Sequence, residues 1–287
     1  MANSNQAVAE NVPGDFFVDH TCIDCDTCRQ LAPETFGEAP EYSFVRRQPE
    51  GPEERRRALQ ALLACPTSSI GARQSNAREV LRDFPLPIED QVYYCGFNSK
   101  DSFGANSYFL EHPEGNWLID SPRFLPVLVK RFEEAGGISK IFLSHRDDVA
   151  DSAKYAKHFG AERIIHERDA SAVQDAERKI GGDEAVALGS DFLFIPTPGH
   201  TRGHAVLLYK KRYLFTGDHL AYSRRRKSLT AFRGACWFSW EEQICSMEKL
   251  LNYDFEWILT GHGERVHLPL PEMKRQMKEL VAWMKKA

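Results

Sequence analysis

Residues Ile141–Ser152, IFLSHRDDVADS, decide how most of this chain reads. Ile141, Phe142 and Leu143 form an apolar run of the kind that makes a buried strand in a parallel or mixed sheet. The chain then turns polar at once, with Ser144, His145, Arg146, Asp147, Asp148 and Asp151. Ala150, Ala153, Ala156 and Phe159 follow at helical spacing, and Gly160 ends the pattern. A strand that feeds a helix through such a loop gathers polar side chains at the carboxyl edge of a sheet, a usual place for chemistry in α/β architecture. Imidazole and carboxylate together suit zinc, iron or manganese. A solvated loop with acidic residues at a helix start has the same composition, and this stretch alone does not separate the two.

Three later stretches do. Asp191–Tyr209, DFLFIPTPGHTRGHAVLLY, is a strand, a loop holding His200 and His204, and another strand. Tyr213–Leu220, YLFTGDHL, is a strand ending at Gly217-Asp218-His219, and Trp257–Gly263, WILTGHG, is one ending at Gly261-His262-Gly263. Strand after strand ends in His or Asp within a Gly- or Ser-bearing turn. Glycine there lets backbone approach a site closely.

From about Tyr93 onward the chain resembles the metallo-β-lactamase fold hydrolases, with features shared by the flavodiiron oxidoreductases. That resemblance implies an αββα sandwich holding one or two metal ions at the sheet edges. His200 in PGHTRG, Asp218 in TGDH and His262 in TGHG match the family's later ligands in context and chain order. The first motif, His-x-His-x-Asp-His in the family, departs. His145 fits its first position, and Asp147 stands where the second His belongs, as a Glu does in the flavodiiron enzymes. An ungapped match puts Val149 and Ala150 on the last two positions, and neither can ligate. Two extra residues bring Asp151 and Ser152 there instead. The implied metal set is then His145, Asp147, Asp151, His200, Asp218 and His262, one nitrogen short at Ser152, with Asp148 as the nearby alternative to Asp151. Asp218 is the implied bridge between two metals. Asp151 is the implied group that orients the water or takes its proton.

The N-terminal part carries a different signature. Cys22, Cys25 and Cys28 are spaced by two residues each, and Cys65 precedes Pro66. This is iron–sulfur spacing, although four thiolates could also hold zinc in a tetrahedron. Residues 14–73 resemble the single-cluster bacterial ferredoxins, which implies one [4Fe-4S] cluster on Cys22, Cys25, Cys28 and Cys65. The expected organisation is a flexible arm (1–15), a ferredoxin-like domain (16–75), a proline-stiffened linker (76–91) and a metallo-β-lactamase-like domain (92–287). The fold class is α+β, a small ferredoxin-like domain followed by an αββα sandwich.

Composition bounds the rest. The chain has 287 residues and a formal net charge of -4. That mild acidity argues against a nucleic-acid footprint, and no apolar run reaches membrane-span length. No basic-then-apolar leader is evident. Clustered thiols point to reducing conditions and a cytoplasmic location. Ser223–Arg233, with Arg224, Arg225, Arg226, Lys227 and Arg233, is either a solvated loop or a contact for an anionic small-molecule substrate or a redox partner protein. Ser239 with Glu242 has capping-box spacing. Met273, Met277, Leu280, Val281 and Met284 form the apolar side of a terminal helix. Three functions compete. One is a metal-dependent hydrolase of esters, thioesters or lactones, with one or two zinc or iron ions. The second is an iron-dependent oxidoreductase fed by the cluster. The third is a non-enzymatic redox or metal sensor.

Overall fold

The structure, a computed structural model, describes residues 2–287. Strands with apolar residues on alternate positions build two facing sheets. The first has seven strands in the order Arg178–Ile180, Glu162–His166, Lys140–Phe142, Trp117–Ile119, Tyr108–Leu110, Val92–Tyr94 and Leu86–Glu89. The second has six, in the order Val186–Ala187, Phe192–Pro196, Ala205–Tyr209, Tyr213–Gly217, Trp257–Thr260 and Val266–His267.

The period of two fixes the layering. In the second sheet Phe194, Leu207, Phe215 and Leu259 point inward to the first sheet's core. Their neighbours Ile195, Val206, Leu208, Leu214 and Ile258 point outward. Across the sandwich Trp117 stacks on Phe192 with centroids 4.2 Å apart, and Tyr108 meets Phe215 at 5.5 Å. Helices Trp240–Leu250 and Leu270–Met284 cover the outer face with Met247, Met273, Met277 and Leu280, so the methionine stripe is core as expected. Ser239 Oγ accepts from Glu242 N–H (3.2 Å), capping the first of these helices. On the other face helix Pro126–Glu134 lays Phe132 against Phe109 at 4.6 Å. The result is an αββα sandwich.

The N-terminal part is small. Phe16–Val18 pairs antiparallel with Ile70–Ala72, and a hairpin joins Phe36–Glu38 to Ser43–Val45. Helix Thr27–Leu31 begins inside the cysteine loop, and helix Pro52–Ala64 delivers Cys65. One apolar core runs from this part into the sandwich. Asn98 N–H donates to Ala64 O (3.1 Å) and Arg123 Nη2 to Leu63 O (3.1 Å), closing the polar seam between them.

Two expectations about connections are corrected. The arm expected at 1–15 is fastened down from residue 2 onward, while Met1 lies outside the described residues. Asn11 supplies the fastening. Its Nδ2 donates to Val8 O and Val18 O (both 2.8 Å), and its Oδ1 accepts from Val18 N–H (3.1 Å) and Val45 N–H (2.9 Å). Val8 is buried beneath it. Inside the expected linker, Leu86–Glu89 is an edge strand of the larger sheet, where Pro87 removes no obligatory ladder bond. No helix among the described residues is long and apolar enough to cross a membrane.

Asn11→Ala should strand the Val18 and Val45 amides, at about 1–3 kcal/mol for each group left unsatisfied. Limited proteolysis should then cut the N-terminal segment several-fold faster than in the wild type. Equal cutting rates would mean that Asn11 does not hold it.

Candidate metal centre

The sandwich brings four strand ends to one edge. Tyr213–Gly217 pairs in parallel with Trp257–Thr260, so Asp218 and His262 leave neighbouring strands side by side. His145 follows Lys140–Phe142, and His200 lies in the loop after Phe192–Pro196. Asp218 Oδ2 lies 3.7 Å from His145 Nε2, 3.7 Å from His200 Nε2 and 3.6 Å from His262 Nε2. Asp147 Oδ2 lies 3.9 Å from His145 Nε2 and 3.8 Å from His200 Nε2. These gaps are too long for hydrogen bonds. They are near the edge of a tetrahedron whose bonds to a central ion are about 2.0–2.2 Å.

The unanswered atoms make the same point. His145 Nε2, His200 Nε2, Asp148 Oδ2 and Asp218 Oδ1 are buried without a hydrogen-bond partner among the described residues. A buried polar atom left so costs free energy. Burial holds His145 down to about 4, so its imidazole is neutral near pH 7 with a lone pair to offer. Burial, and then Asp218, Asp120 and Asp147, push Asp148 well up. Asp218 is also buried, yet His262, His145 and His200 hold it below the usual carboxylate range. The donor set fits a divalent ion.

The surroundings orient it. Ser144 Oγ donates to Asp120 Oδ2 (3.0 Å) and Ser144 N–H to Asp120 Oδ1 (2.8 Å), while Ser144 Oγ lies 2.9 Å from His145 Nδ1. With the hydroxyl proton committed to Asp120, Nδ1–H donates to Ser144 and Nε2 is left to face the centre. Asp169 ties the two ligand loops together. Its carboxylate accepts from Arg146 N–H (3.1 Å), Thr201 Oγ1 (2.5 Å) and Gly203 N–H (2.8 Å). Neither Asp120 nor Asp169 was singled out from sequence, because neither sits in a motif and both act across long chain separations. Gly217 has φ +47°, and a Cβ there would stand 2.6 Å from Ser144 Oγ and 2.8 Å from His204 Nε2.

The expected residues divide. His145, Asp147, His200 and Asp218 converge, and His262 reaches the group through Asp218. Asp151 does not join them. Its Oδ2 accepts from Phe124 N–H (2.7 Å) and its Oδ1 pairs with Lys154 (2.7 Å). The chain turns through a positive φ at Ala150, and Asp151 leaves the cleft to enter the helix Ser152–Phe159. Asp148, the alternative, lies with His145 and Asp218 instead, fully buried.

The four N-terminal cysteines line one small cavity with Val18, Thr67 and Ile70. Ser43 N–H approaches Cys22 Sγ at 3.4 Å and Ser69 N–H approaches Cys65 Sγ at 3.3 Å. Burial raises the Cys25 thiol to about 11 and pushes Cys28 well above its ordinary value, so their thiolates need positive charge beside them. Bound iron meets that need. Cys25 also lines a second, much larger cleft of ≈ 1290 Å³ that includes Asp147, Asp148, His200, Asp218 and His262.

An N-terminal cysteine-rich domain joined to an αββα sandwich with a His/Asp centre defines the class. Comparison with known proteins gives the family. Residues 101–262 match the metallo-beta-lactamase superfamily, and residues 18–72 match the 4Fe-4S single cluster domain of ferredoxin I. The first match spans more than half of the chain, which therefore belongs to the metallo-beta-lactamase superfamily, with a single-cluster ferredoxin-type domain ahead of it. The chain is similar to the hydroxyacylglutathione hydrolase of Rhizobium johnstonii, 31% identical over 148 residues, covering 48% of this chain and 51% of that protein. The Citrobacter koseri enzyme of the same name is 32% identical over 127 residues, covering 43% and 50%. The chain spans about half the length of these relatives. Among solved structures the DIM-1 metallo-beta-lactamase superposes with a TM-score of 0.53 at 14% identity, covering 69% of this chain and 95% of that one. The BLEG-1 B3 metallo-beta-lactamase gives 0.51 at 17%, covering 67% and 99%. These two likenesses show the fold.

Two outcomes are expected of the centre. Gly217→Ala should lower metal content and cost about 1–3 kcal/mol in denaturant unfolding, since the new methyl group overpacks Ser144 and His204. Burial pushes the Asp148 carboxyl well above its ordinary range and a divalent ion needs the carboxylate, so ion loading should release a proton over the pH range in which that carboxyl is still protonated, and affinity should rise with pH there. Calorimetric titrations in two buffers of different ionisation enthalpy should count that proton, and Asp148→Asn should abolish it. Undiminished release in the variant would assign the proton elsewhere.

Proposed function

We propose that the protein is a metal-dependent hydrolase of the thioester, ester or lactone class, acting on an anionic small molecule. The convergence of His145, Asp147, His200 and Asp218 on one point at the floor of the large cleft, with buried ligand atoms unanswered, carries this reading. The relatives' name, hydroxyacylglutathione hydrolase, supports the thioester as the first substrate class to test.

A divalent ion bound there would lower the pKa of water and polarise an acyl oxygen. His145, kept neutral by burial, and His200 would hold one side of that ion. Asp218 offers Oδ2 to the imidazoles and its buried Oδ1 toward Asp148, the arrangement of a bridge between two positions. With Asp151 outside the cleft, Asp147 is the carboxylate that would accept the water's proton. Its carboxylate is 47% exposed and faces the cleft, with Oδ1 turned from the imidazoles toward Arg146 Nε at 3.7 Å. Arg225 and Arg226 also line the cleft, where a substrate's negative charge would be met. Trp237, exposed beside His200 with ring centroids 6.2 Å apart, walls the acyl side.

A second reading, an iron-dependent oxidoreductase, is favoured by one specific observation: Cys25 lines the same cleft as Asp218 and His262. Three carboxylates also make the centre more oxygen-rich and better suited to iron.

Metal analysis of anaerobically purified protein separates the readings, zinc favouring hydrolysis and iron outside the cluster favouring redox work. Asp218→Ala should remove that metal and lower kcat/KM on an anionic thioester by at least about 100-fold, close to 3 kcal/mol of barrier. Unchanged metal content and unchanged turnover would overturn the site. Wild-type protein with no metal beyond the cysteines would return the sensor reading to the front.

A further inference from the structure

The cysteine loop and the loop that carries His262 are fastened together at several points. Helix Thr27–Leu31 bears Cys28 and follows directly on Cys25. The Arg29 carbonyl accepts from Arg224 Nη1 (3.0 Å), and Arg224 Nη2 pairs with Glu264, two residues beyond His262. Gln30 Oε1 accepts from Asn106 Nδ2 (3.4 Å), which also donates to Thr260 O (3.3 Å). Asn106 N–H donates to Gly261 O (2.7 Å), immediately before His262. Gly104, at φ +86°, comes so near that a Cβ would stand 3.0 Å from Cys25 Sγ. Its neighbour Phe103 places its ring 6.1 Å from the His262 ring.

The cysteine loop holds an unusual backbone shape. Asp24 and Asp26 sit at φ 55° and 66°, a conformation most residues avoid. The Arg29 guanidinium bridges them, with Nη1 on Asp24 Oδ1 and Nε on Asp26 Oδ1, both at 2.6 Å. Iron on Cys22, Cys25, Cys28 and Cys65 would cross-link the same loop from within.

His262 depends on this support more than the other ligands do. It is 21% exposed, whereas the His145 side chain is fully buried and His200 is 3% exposed. His145 is held by Ser144 and Asp120, and the His200 loop by Asp169, all from the sandwich interior. The His262 turn has one sandwich anchor in Gly261 N–H to Gly217 O (2.8 Å), and its remaining side is tied to the cysteine loop through Arg224 and Asn106.

We infer that the cluster loop is the positioning element for His262, so that cluster occupancy and metal affinity at the Asp148–Asp218–His262 position are coupled, with Arg224 and Asn106 as the connecting residues. This rests on the metal reading above. Losing the cluster would let the loop relax and move the Arg29 carbonyl and Gln30, which frees Arg224 beside Glu264 and the Asn106 side chain beside Thr260 while the sandwich's own bonds to Gly261 remain. The position built on His145, Asp147, His200 and Asp218 keeps its supports. Coupling of this kind is reciprocal, so an ion at the weaker position favours the cluster-bound loop to the same degree.

The test is a Mn(II) titration of anaerobic, chelator-stripped full-length protein, with the unbound ion counted by room-temperature EPR. Cluster-loaded protein should show a tight and a weaker site. Oxidative removal of the cluster should weaken the weaker site by roughly tenfold, inside the range usual for coupled sites, and leave the tight one unchanged. Because cluster removal could unfold the small domain, Arg224→Gln is tested with its cluster intact, verified by iron, sulfide and visible absorption. It should reproduce the selective weakening. The inference is overturned if Arg224→Gln and cluster removal leave the weaker site unchanged, if both sites weaken together, or if loaded protein binds a single ion. Loaded wild-type protein that binds no Mn(II) at all would sink the metal reading and this inference with it.

Discussion

Everything at the carboxyl edge of the sandwich depends on one electrostatic constraint. Two carboxylates, Asp148 and Asp218, are buried beside three imidazoles, and their inward atoms have no partner among the described residues. Burial keeps His145 neutral, so it does not supply the missing charge. Without a cation, burial and the neighbouring carboxylates push Asp148 well up. A bound cation would favour the ionised carboxylates and use the imidazole lone pairs, and coordination would offset the desolvation cost.

The fold makes that arrangement hold. Parallel pairing of Tyr213–Gly217 with Trp257–Thr260 sets Asp218 beside the His262 turn. Glycine at 217 and 261 lets the backbones close in, since a Cβ at Gly261 would stand 2.5 Å from Asp218 Oδ1 and 3.1 Å from Asp148 Oδ2. Asp120 and Asp169 carry no ligand atom to the centre. They fix the loops that do. The iron–sulfur domain is continuous with this machinery, because its cysteine loop walls the same cleft.

The sequence made much of this legible, and the reasons are local. Alternating apolar runs gave the strands, and PGHTRG, TGDH and TGHG marked three of the strand ends that converge. Cysteine spacing marked the cluster loop in the same way. Failures came where the outcome depends on backbone direction or on distant partners. Asp148 and Asp151 are equivalent in composition. The positive φ at Ala150 and the pull of Phe124 N–H and Lys154 on Asp151 decide between them, and no spacing rule contains either. The N-terminal segment reads as polar and mobile, yet Asn11 alone meets two carbonyls and two amides of the small domain. Asn106 joins Gln30 to the strand Trp257–Thr260, a link between residues far apart in the chain that no motif marks.

Anomalous diffraction at the iron and zinc edges, from crystals grown anaerobically, tests the central claim most directly. The account predicts an iron cluster enclosed by Cys22, Cys25, Cys28 and Cys65. It also predicts a separate peak within bonding distance of His145 Nε2, His200 Nε2 and Asp218, with Asp148 turned toward the centre and Asp151 still on Phe124 and Lys154. A peak ligated by Asp151 with Asp148 turned away, or no peak between His145 and His200, would contradict it.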